Sequence, residues 1–151
     1  MLFLALRERE GEGSRARIME ILRRSPGMNK IRLCQSVGLS RATVTYHLKV
    51  LQGEGTVDLQ RQGRDVYCFP VNIPTQYRPW LTVLHDDKAK KVLEALGPEE
   101  AGVRQLALQL GLSESATRRR LERMRLVGMV RKRGRLRPRF ARQEGQEPPV
   151  P

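Results

Sequence analysis

The sequence contains one pattern twice, and this repeat limits the chain to two small domains built alike. Advancing the numbering by 73 places residues of matching type on each other. The matched pairs are Leu33 and Leu106, Gly38-Leu39-Ser40 and Gly111-Leu112-Ser113, Leu48 and Leu121, Leu51 and Met124, Gly55 and Gly128, and Val57 and Val130. These residue types serve as buried positions, turn glycines and helix caps. Their shared spacing therefore indicates two copies of one fold.

The first copy, residues 33–57, has the pattern of two helices joined by a tight turn. Leu33 and Val37 lie one helical turn apart on a first helix that ends at Gly38. Ser40 is suited to cap a second helix, because its hydroxyl can accept a free backbone N–H. The second helix has an apolar stripe made of Val44, Leu48 and Leu51. This stripe predicts which side of the helix is buried.

The opposite side of the second helix has a different composition. It mixes small, hydroxyl, aromatic and cationic side chains, which are the groups that read base edges in a major groove. With the capping serine, the candidate contacts are Ser40, Arg41, Thr43, Thr45, Tyr46 and Lys49. An ordinary pair of packed helices would explain the apolar stripe equally well, so the segment after the second helix decides between the two interpretations.

A two-stranded ribbon is predicted directly after this helix. Residues 57–61 and 66–69 read as strands, and residues 62–65 form the turn between them. Arg61 and Arg64 are placed near the tip, where they can contact phosphates. A helix-turn-helix followed by such a ribbon predicts a winged helix-turn-helix domain.

The first copy resembles the arsenic-repressor-like winged helix family, and more closely the archaeal winged helix-turn-helix transcriptional regulators. The motifs that carry the resemblance are Ser25-Pro26-Gly27, Gly38-Leu39-Ser40, Thr45-Tyr46-His47-Leu48-Lys49-Val50-Leu51, Glu54-Gly55, Arg61-Gln62-Gly63-Arg64, Val66-Tyr67 and Phe69. The resemblance implies binding of double-stranded DNA by the helix that starts at Ser40, usually as a dimer, to repress or activate transcription. Metal-sensing members place paired cysteines where this chain has only Cys34, so a thiolate metal sensor is not expected.

The second copy keeps the buried pattern and changes the exposed surface. Where the first copy has Thr45-Tyr46-His47, the second has Arg118-Arg119-Arg120, and its wing is almost wholly cationic. Such guanidinium groups grip phosphates and narrow minor grooves but carry little sequence information. Because like charges on a short hairpin repel one another, an external polyanion is the expected partner. The candidate contacts are Ser113, Ser115, Arg118, Arg119, Arg123, Arg131, Lys132, Arg133, Arg135, Arg137 and Arg139.

The charge balance supports the same class of partner. Lys and Arg total 29 against 16 acidic residues, which gives a net charge of +13. Nucleic acid, an acidic membrane surface or an acidic protein could each complement it. The longest apolar run, residues 1–6, is far shorter than the roughly 20 residues of a spanning helix. It is expected to pack as a helix on the first domain, although it could be the remnant of a longer anchor. The expected location is therefore cytoplasmic, at the nucleoid.

The expected fold class is mostly α with small β wings, arranged as tandem winged helix-turn-helix domains. Prolines 70, 74 and 79 indicate an extended, semi-rigid linker in which Trp80 packs as a wedge. The expected divisions are residues 1–13 as a lead-in that is flexible from Arg7 onwards, 14–70 as the first domain, 71–80 as the linker, 81–142 as the second domain and 143–151 as a disordered tail.

No residue pattern indicates catalysis, a cofactor or a metal site. His47 and His85 are the only histidines, and neither is accompanied by a nucleophile or a carboxylate pair. The segment His85-Asp86-Asp87-Lys88 resembles a ligand cluster, but consecutive helical residues point in different directions, so a solvated break or helix cap is expected. Cys34 and Cys68 are expected to be small apolar residues in a reducing compartment.

The function expected from these features is double-stranded DNA binding by a transcriptional regulator that uses two recognition helices and basic wings. One alternative is an abundant chromatin or nucleoid architectural protein with little sequence specificity. A further alternative is a winged-helix module for protein interaction. A homodimer is possible but not required, because one chain already presents two recognition helices. No small-molecule ligand is evident.

Overall fold

The computed structural model describes residues 2–143, except the side chain of Phe3, and divides the chain into two compact units between Thr82 and Val83. Each unit combines helices with a small three-stranded antiparallel sheet. The predicted fold class, mostly α with small β wings in a tandem of winged helix-turn-helix domains, is confirmed. The expected disordered tail lies outside the described residues, apart from Gln143.

The first unit contains the predicted helix-turn-helix and wing, together with one strand that the pattern does not reveal. Its elements are α1 (Leu2–Arg24), β1 (Met28–Asn29), α2 (Lys30–Val37), α3 (Arg41–Gly53), β2 (Val57–Gln62) and β3 (Asp65–Pro70). The sheet order is β1-β3-β2, and Met28 pairs with Cys68. A strand of two residues is too short to show any periodicity, so β1 was missed.

A short segment of helix follows the first wing, and the second unit then repeats the first. A 3-10 turn (Thr75–Tyr77) leads into α4 (Arg78–Leu84), followed by α5 (Asp87–Ala95), β4 (Ala101–Gly102), α6 (Val103–Leu110), α7 (Glu114–Leu126), β5 (Val130–Arg133) and β6 (Arg139–Arg142). The second sheet has the order β4-β6-β5, which corresponds to that of the first. From β1 to the start of β2, each element begins 73 residues before its counterpart.

The predicted apolar stripes form the cores. Val44 and Leu48 of α3 are 0% and 1% exposed, and Leu121 and Met124 of α7 are both fully buried. In the first unit they pack with Ile18, Leu22, Leu33 and Val57. Burying one such side chain contributes about 1.5–3 kcal/mol, so each helix-turn-helix is fixed by its inner face. Its outer face is therefore free to vary between the copies.

The tight turn between the two helices has the same construction in both units. Gly38 and Gly111 end α2 and α6 with φ of 73° and 66°, a left-handed conformation that glycine adopts without a steric penalty. Ser40 then accepts a hydrogen bond from the Thr43 backbone N–H, and Ser113 accepts one from that of Ala116. The predicted caps are thus confirmed, and they set where α3 and α7 begin.

The predicted flexible lead-in is wrong, because α1 already begins at Leu2. Its charged residues favour helix, and its C-terminal half is anchored by the buried Ile18 and Leu22. The leucines of the apolar start do not pack on the domain as expected. Leu2 and Leu4 are 81% and 66% exposed.

The linker is also more ordered than predicted, because residues 75–84 are largely helical. Pro79 is the second residue of α4, where its missing N–H costs no intrahelical bond. Arg78, rather than the half-buried Trp80, anchors this segment. The buried Arg78 donates to Ile73 O at 3.0 Å and to Asp58 Oδ2 at 2.9 Å, and it lies over the Phe69 ring.

Candidate nucleic-acid interface

The outer face of α3 forms a shallow depression of mixed chemistry. It is lined by Lys30, Arg41, Ala42, Thr45, Tyr46 and Lys49. Tyr46 is 62% exposed, and Arg41 and Lys49 are also exposed, whereas Thr45 is half-buried. The structure thus brings four of the predicted contacts into one surface. This surface has donors, acceptors and an aromatic ring beside three cations, which suits base edges bordered by phosphates.

Lys30 belongs to this surface, although sequence reasoning missed it. It is the first residue of α2, and it lines the depression together with residues of α3. No periodic pattern distinguishes such a residue from other surface lysines. Its position before the helix-turn-helix motif was the only available signal.

Two of the predicted hydroxyl contacts are engaged with each other. Ser40 Oγ and Thr43 Oγ1 lie 2.8 Å apart, and Ser40 Oγ also accepts the Thr43 N–H. Both residues remain exposed at the start of α3. Their first role is therefore to cap the helix, and a contact with a partner would use their remaining hydrogen-bonding capacity.

His47 lies on the inner side of α3 and supports the surface from beneath. It is 5% exposed, and its ring meets that of Tyr46 edge-on with centroids 5.4 Å apart. Burial lowers the pKa of His47 below its usual value, and the nearby charge of Arg15 lowers it further. Among the described residues no group hydrogen-bonds its Nδ1. His47 is thus a packed, neutral residue rather than a phosphate contact.

The first wing is a regular hairpin with a short tip. Gln62 pairs with Asp65, so only Gly63 and Arg64 form the turn. Gly63 has φ of 61°, as the first central residue of a two-residue hairpin loop requires. Arg61 and Arg64 are both exposed, but only Arg64 lies in the turn, whereas Arg61 lies in β2 opposite Val66.

The arginines of α7 divide into an outer and an inner set. Arg118 and Arg119 are exposed, together with Ser113 and Ser115 at the start of the helix. Arg120 and Arg123 instead turn towards Asp86, with N–O distances of 3.2 and 2.6 Å to its Oδ2. Their side chains are 14% and 24% exposed. Arg123 therefore leaves the set of candidate contacts.

Asp86 holds this inner set in place. It caps α5 by accepting the N–H groups of Lys88 and Ala89, so the predicted cap is confirmed. It is not solvated, because its side chain is only 11% exposed. Burial alone would raise the pKa of Asp86, but the Ala89 N–H and the guanidinium groups of Arg120 and Arg123 outweigh it and lower the pKa. The carboxylate is thus a fixed negative charge between α5 and α7.

Most cations of the second wing have partners within their own unit. Lys132 Nζ lies 2.6 Å from Glu122 Oε1, and Arg133 Nη1 lies 3.5 Å from Glu100 Oε1. The second Glu122 oxygen accepts from Arg125, and the two hydrogen-bonded cations lower the pKa of Glu122. Arg131 donates to Pro98 O, and Arg139 donates to Glu100 O. Glu100 and Glu122 thus offset part of the charge of this wing, and the need for an external polyanion stays a prediction.

The tip of the second wing differs from its strands. Residues 134–138 join β5 to β6, and Arg135 and Arg137 are exposed within this loop. Over residues 2–143, no hydrogen bond or ion pair engages either guanidinium group. Unlike Lys132, Arg133 and Arg139, these two arginines have no carboxylate partner among the described residues.

The described part of the chain offers no group of three metal-ligating side chains. Both cysteines are buried thiols, and burial raises the pKa of Cys68 to about 12. Within residues 2–143 there is also no helix with the length and apolar character needed to span a membrane.

Comparison with known proteins identifies a helix-turn-helix family in each unit. Residues 14–58 match a family described as winged helix-turn-helix DNA-binding. Residues 87–134 match the IclR helix-turn-helix domain. The resemblance of the first unit to arsenic-repressor-like proteins stays a prediction, because the matched family is a different one.

Among curated proteins, the chain is similar to an uncharacterised HTH-type transcriptional regulator of Methanocaldococcus jannaschii, with 23% identity over 118 residues. The match covers 78% of this chain and 30% of that protein, so the chain spans about a third of its relative. Among solved structures, ScpB from Mycobacterium tuberculosis aligns with 14% identity and a TM-score of 0.32, covering 89% of this chain and 92% of that one. That score is too low to establish a common architecture. The repeated fold shows two winged helix-turn-helix domains in tandem, and each of them matches a helix-turn-helix family over the residues given.

Proposed function

We propose that this protein is a transcriptional regulator that binds double-stranded DNA through both α3 and α7 and through its two wings. The observation that carries the proposal is the outer face of α3, where an exposed aromatic ring and hydroxyl groups lie beside the cations of Lys30, Arg41 and Lys49. The relative from Methanocaldococcus jannaschii, named as a transcriptional regulator, supports the regulatory role.

In this proposal the first unit supplies sequence selectivity. Thr45 and Tyr46 would meet base edges in a major groove, and Arg41, Lys49 and Lys30 would hold the adjacent phosphates. Ser40 and Thr43 would contribute at the start of the helix. Arg61 and Arg64 would contact the flanking backbone from the first wing. The buried His47 and the stripe beneath it keep this face in one orientation.

The second unit would supply most of the electrostatic affinity. Arg118 and Arg119 on α7 are exposed, and Ser113 and Ser115 lie at the exposed start of the same helix. Arg135 and Arg137 extend the cationic surface to the wing tip. The remaining wing cations, Arg131, Lys132, Arg133 and Arg139, would act through the charge left after pairing with Glu100 and Glu122.

The decisive experiment selects bound sequences from a random duplex pool and then titrates the protein onto a selected and an unrelated duplex at several salt concentrations. We expect a selected consensus and a log-log slope of about 0.9 per phosphate neutralised. An affinity that does not change with salt would contradict DNA binding by this surface.

Two double variants test the division of labour. The double variant Arg118→Gln with Arg119→Gln is expected to reduce the log-log slope of affinity against salt by about 1.8. It should weaken binding to the selected and the unrelated duplex by the same factor. Thr45→Ala with Tyr46→Ala is expected to leave the slope unchanged and to reduce the preference for the selected duplex about tenfold. The opposite assignment of the two effects would refute the division. Circular dichroism of each variant serves as the folding control.

An architectural protein that coats DNA is the second candidate, and the arginine density of α7 and its wing favours it. It predicts uniform protection along any fragment in a footprint, whereas the regulator predicts one protected site. We propose for the regulator also a possible homodimer and a location at the nucleoid. The spacing between half-sites in the selected sequences tests the dimer.

A further inference from the structure

The tip of the second wing presents an apolar side chain almost completely to solvent. Leu136 is 96% exposed, the highest value among the exposed large apolar side chains of the described residues. It lies in the middle of the loop 134–138, between Arg135 and Arg137. Covering this leucine with an apolar surface would be favourable, and nothing within residues 2–143 covers it.

The base of this loop is held firmly, so Leu136 extends from an ordered support. Lys132 is bonded to Glu122 of α7 and lies over the ring of the fully buried Phe140. Gly134 turns the chain out of β5 with φ of 82°. A Cβ at that position would lie 3.4 Å from Arg137 O, so the two sides of the loop approach closely above the strands. The loop is thus a narrow projection with one apolar residue at its tip.

The charges beside Leu136 restrict what can cover it. Two unpaired guanidinium groups flank it, so an apolar partner must itself sit within a strongly negative surface. The minor groove of duplex DNA combines both properties, because its phosphates and base edges give a negative potential while stacked bases provide an apolar interior. Leucine is among the side chains that wedge between base steps from this groove.

We infer that Leu136 is a minor-groove wedge, which enters a base step and partly unstacks it while Arg135 and Arg137 lie along the groove. This inference rests on the proposed DNA binding and adds a deformation of the DNA to it. Wedges of this kind kink duplexes by about 20–90°. Flexible pyrimidine–purine steps would be preferred, since they unstack at the lowest cost.

The first wing provides an internal comparison. Its turn consists of Gly63 and Arg64 alone and has no apolar side chain at the tip. The same fold therefore carries a wedge in one unit and a simple cationic tip in the other. Any unstacking should depend on the second wing.

The test uses the full chain and duplexes carrying 2-aminopurine at successive single positions, because the fluorescence of this base rises when it unstacks. Wild-type protein is expected to raise the signal at one or two adjacent positions. Leu136→Ala should reduce that rise at least threefold while changing the affinity, measured separately by anisotropy, less than tenfold. Leu126→Ala, which truncates another leucine that is 75% exposed in the same unit, is the matched control and should behave as wild type.

A second pair of measurements checks the groove. Arg135→Gln with Arg137→Gln should weaken binding and abolish the fluorescence rise, and prior occupation of the minor groove by netropsin should do the same. Equal fluorescence from wild type and Leu136→Ala would overturn the wedge, as would tight binding without a rise at any position. Loss of binding to anionic lipid vesicles in Leu136→Ala, with DNA fluorescence unchanged, would also overturn it and point to a lipid surface. If wild-type protein shows no anisotropy change with any duplex, the proposed function fails together with the wedge.

Discussion

At one equivalent position of α3 and α7 the two units have different residues, and this difference changes the charge of their outer faces. His47 of α3 and Arg120 of α7 are equivalent in the repeat, and both turn inward. His47 is buried as a neutral ring, whereas Arg120 is held by the carboxylate of Asp86. Burying His47 requires only the desolvation of an uncharged ring. Turning Arg120 inward needs an acidic partner from another helix, and it removes a cation from the outer face.

The wings differ in a related way. The first ends in a two-residue turn, and the second ends in a five-residue loop with an apolar tip. On the strands of the second wing, Lys132 pairs with Glu122, and Arg133 and Arg139 pair with Glu100, whereas the two arginines of the tip have no carboxylate partner among residues 2–143. The number of arginines in the sequence is therefore larger than the number whose charge is available to a partner. Carboxylates within the unit therefore decide which cations remain available to an external partner.

The largest expected effect tests whether the cores are equivalent despite these surfaces. Leu48→Ala and Leu121→Ala remove matched, almost fully buried side chains, 1% and 0% exposed. Each is expected to lower the free energy of unfolding of its unit by about 2–5 kcal/mol, through lost burial and the cavity left behind. Chemical denaturation with amide hydrogen exchange, followed unit by unit, measures both. A cost well below 1 kcal/mol in either unit would show that its core is not the one described.

A smaller effect is expected at Asp86, where the second unit depends on charge. Asp86→Ala removes the partner of two partly buried arginines and a helix cap, and we expect a loss of about 3 kcal/mol. Asp86→Asn keeps a capping oxygen and removes only the charge, so it should cost less. Asp58→Ala is the counterpart in the first unit. Its carboxylate is 47% exposed, and its buried partner Arg78 keeps a hydrogen bond to Ile73 O, so a smaller loss of about 1.5 kcal/mol is expected. Equal losses of unfolding free energy at Asp86 and Asp58 would show that the second unit depends no more on its carboxylate than the first.

The smallest effect distinguishes the two inward residues by pH. The folded-state pKa of His47 is lowered, so the folded protein binds fewer protons at this site than the unfolded chain. Its contribution to stability is complete above the unfolded pKa of about 6.5 and is lost as the pH falls through the folded value. Denaturation between pH 7 and pH 5 should therefore show a decline that His47→Gln reduces. Arg120→Gln, at the equivalent position of α7, removes no imidazole and should leave the decline unchanged. If His47→Gln retains the full decline, His47 is not its source.

Local features of the fold could be predicted from the sequence because they recur at fixed spacing. The buried stripe of α3, the left-handed glycine at position 38 and the cap at Ser40 each depend on residues within a few positions of one another. Their recurrence 73 residues later predicted the tandem fold. The outer face of α3 followed from the same periodicity, since residues outside the stripe point away from the core.

Other parts of the site could not be predicted, because they depend on contacts between distant parts of the chain. Asp86 meets Arg120 and Arg123 across 34 and 37 residues, and no spacing rule signals such a pair. For the same reason the sequence pattern did not predict β1, whose strand partners lie in β3, about 40 residues further along the chain.

The sequence by itself determined the repeat, the inner faces of the helices and the excess of positive charge. Only the tertiary structure decided which of those charges are exposed, because Coulomb attraction and hydrogen bonding act over a few ångströms in space and take no account of distance along the chain. It turned Arg123 inward while Arg118 of the same helix stayed exposed. It also left Arg135 and Arg137 beside Leu136 at the tip of a wing in which Lys132, Arg133 and Arg139 pair with carboxylates. Periodicity thus defines the fold, and the placement of a few carboxylates defines the candidate surface.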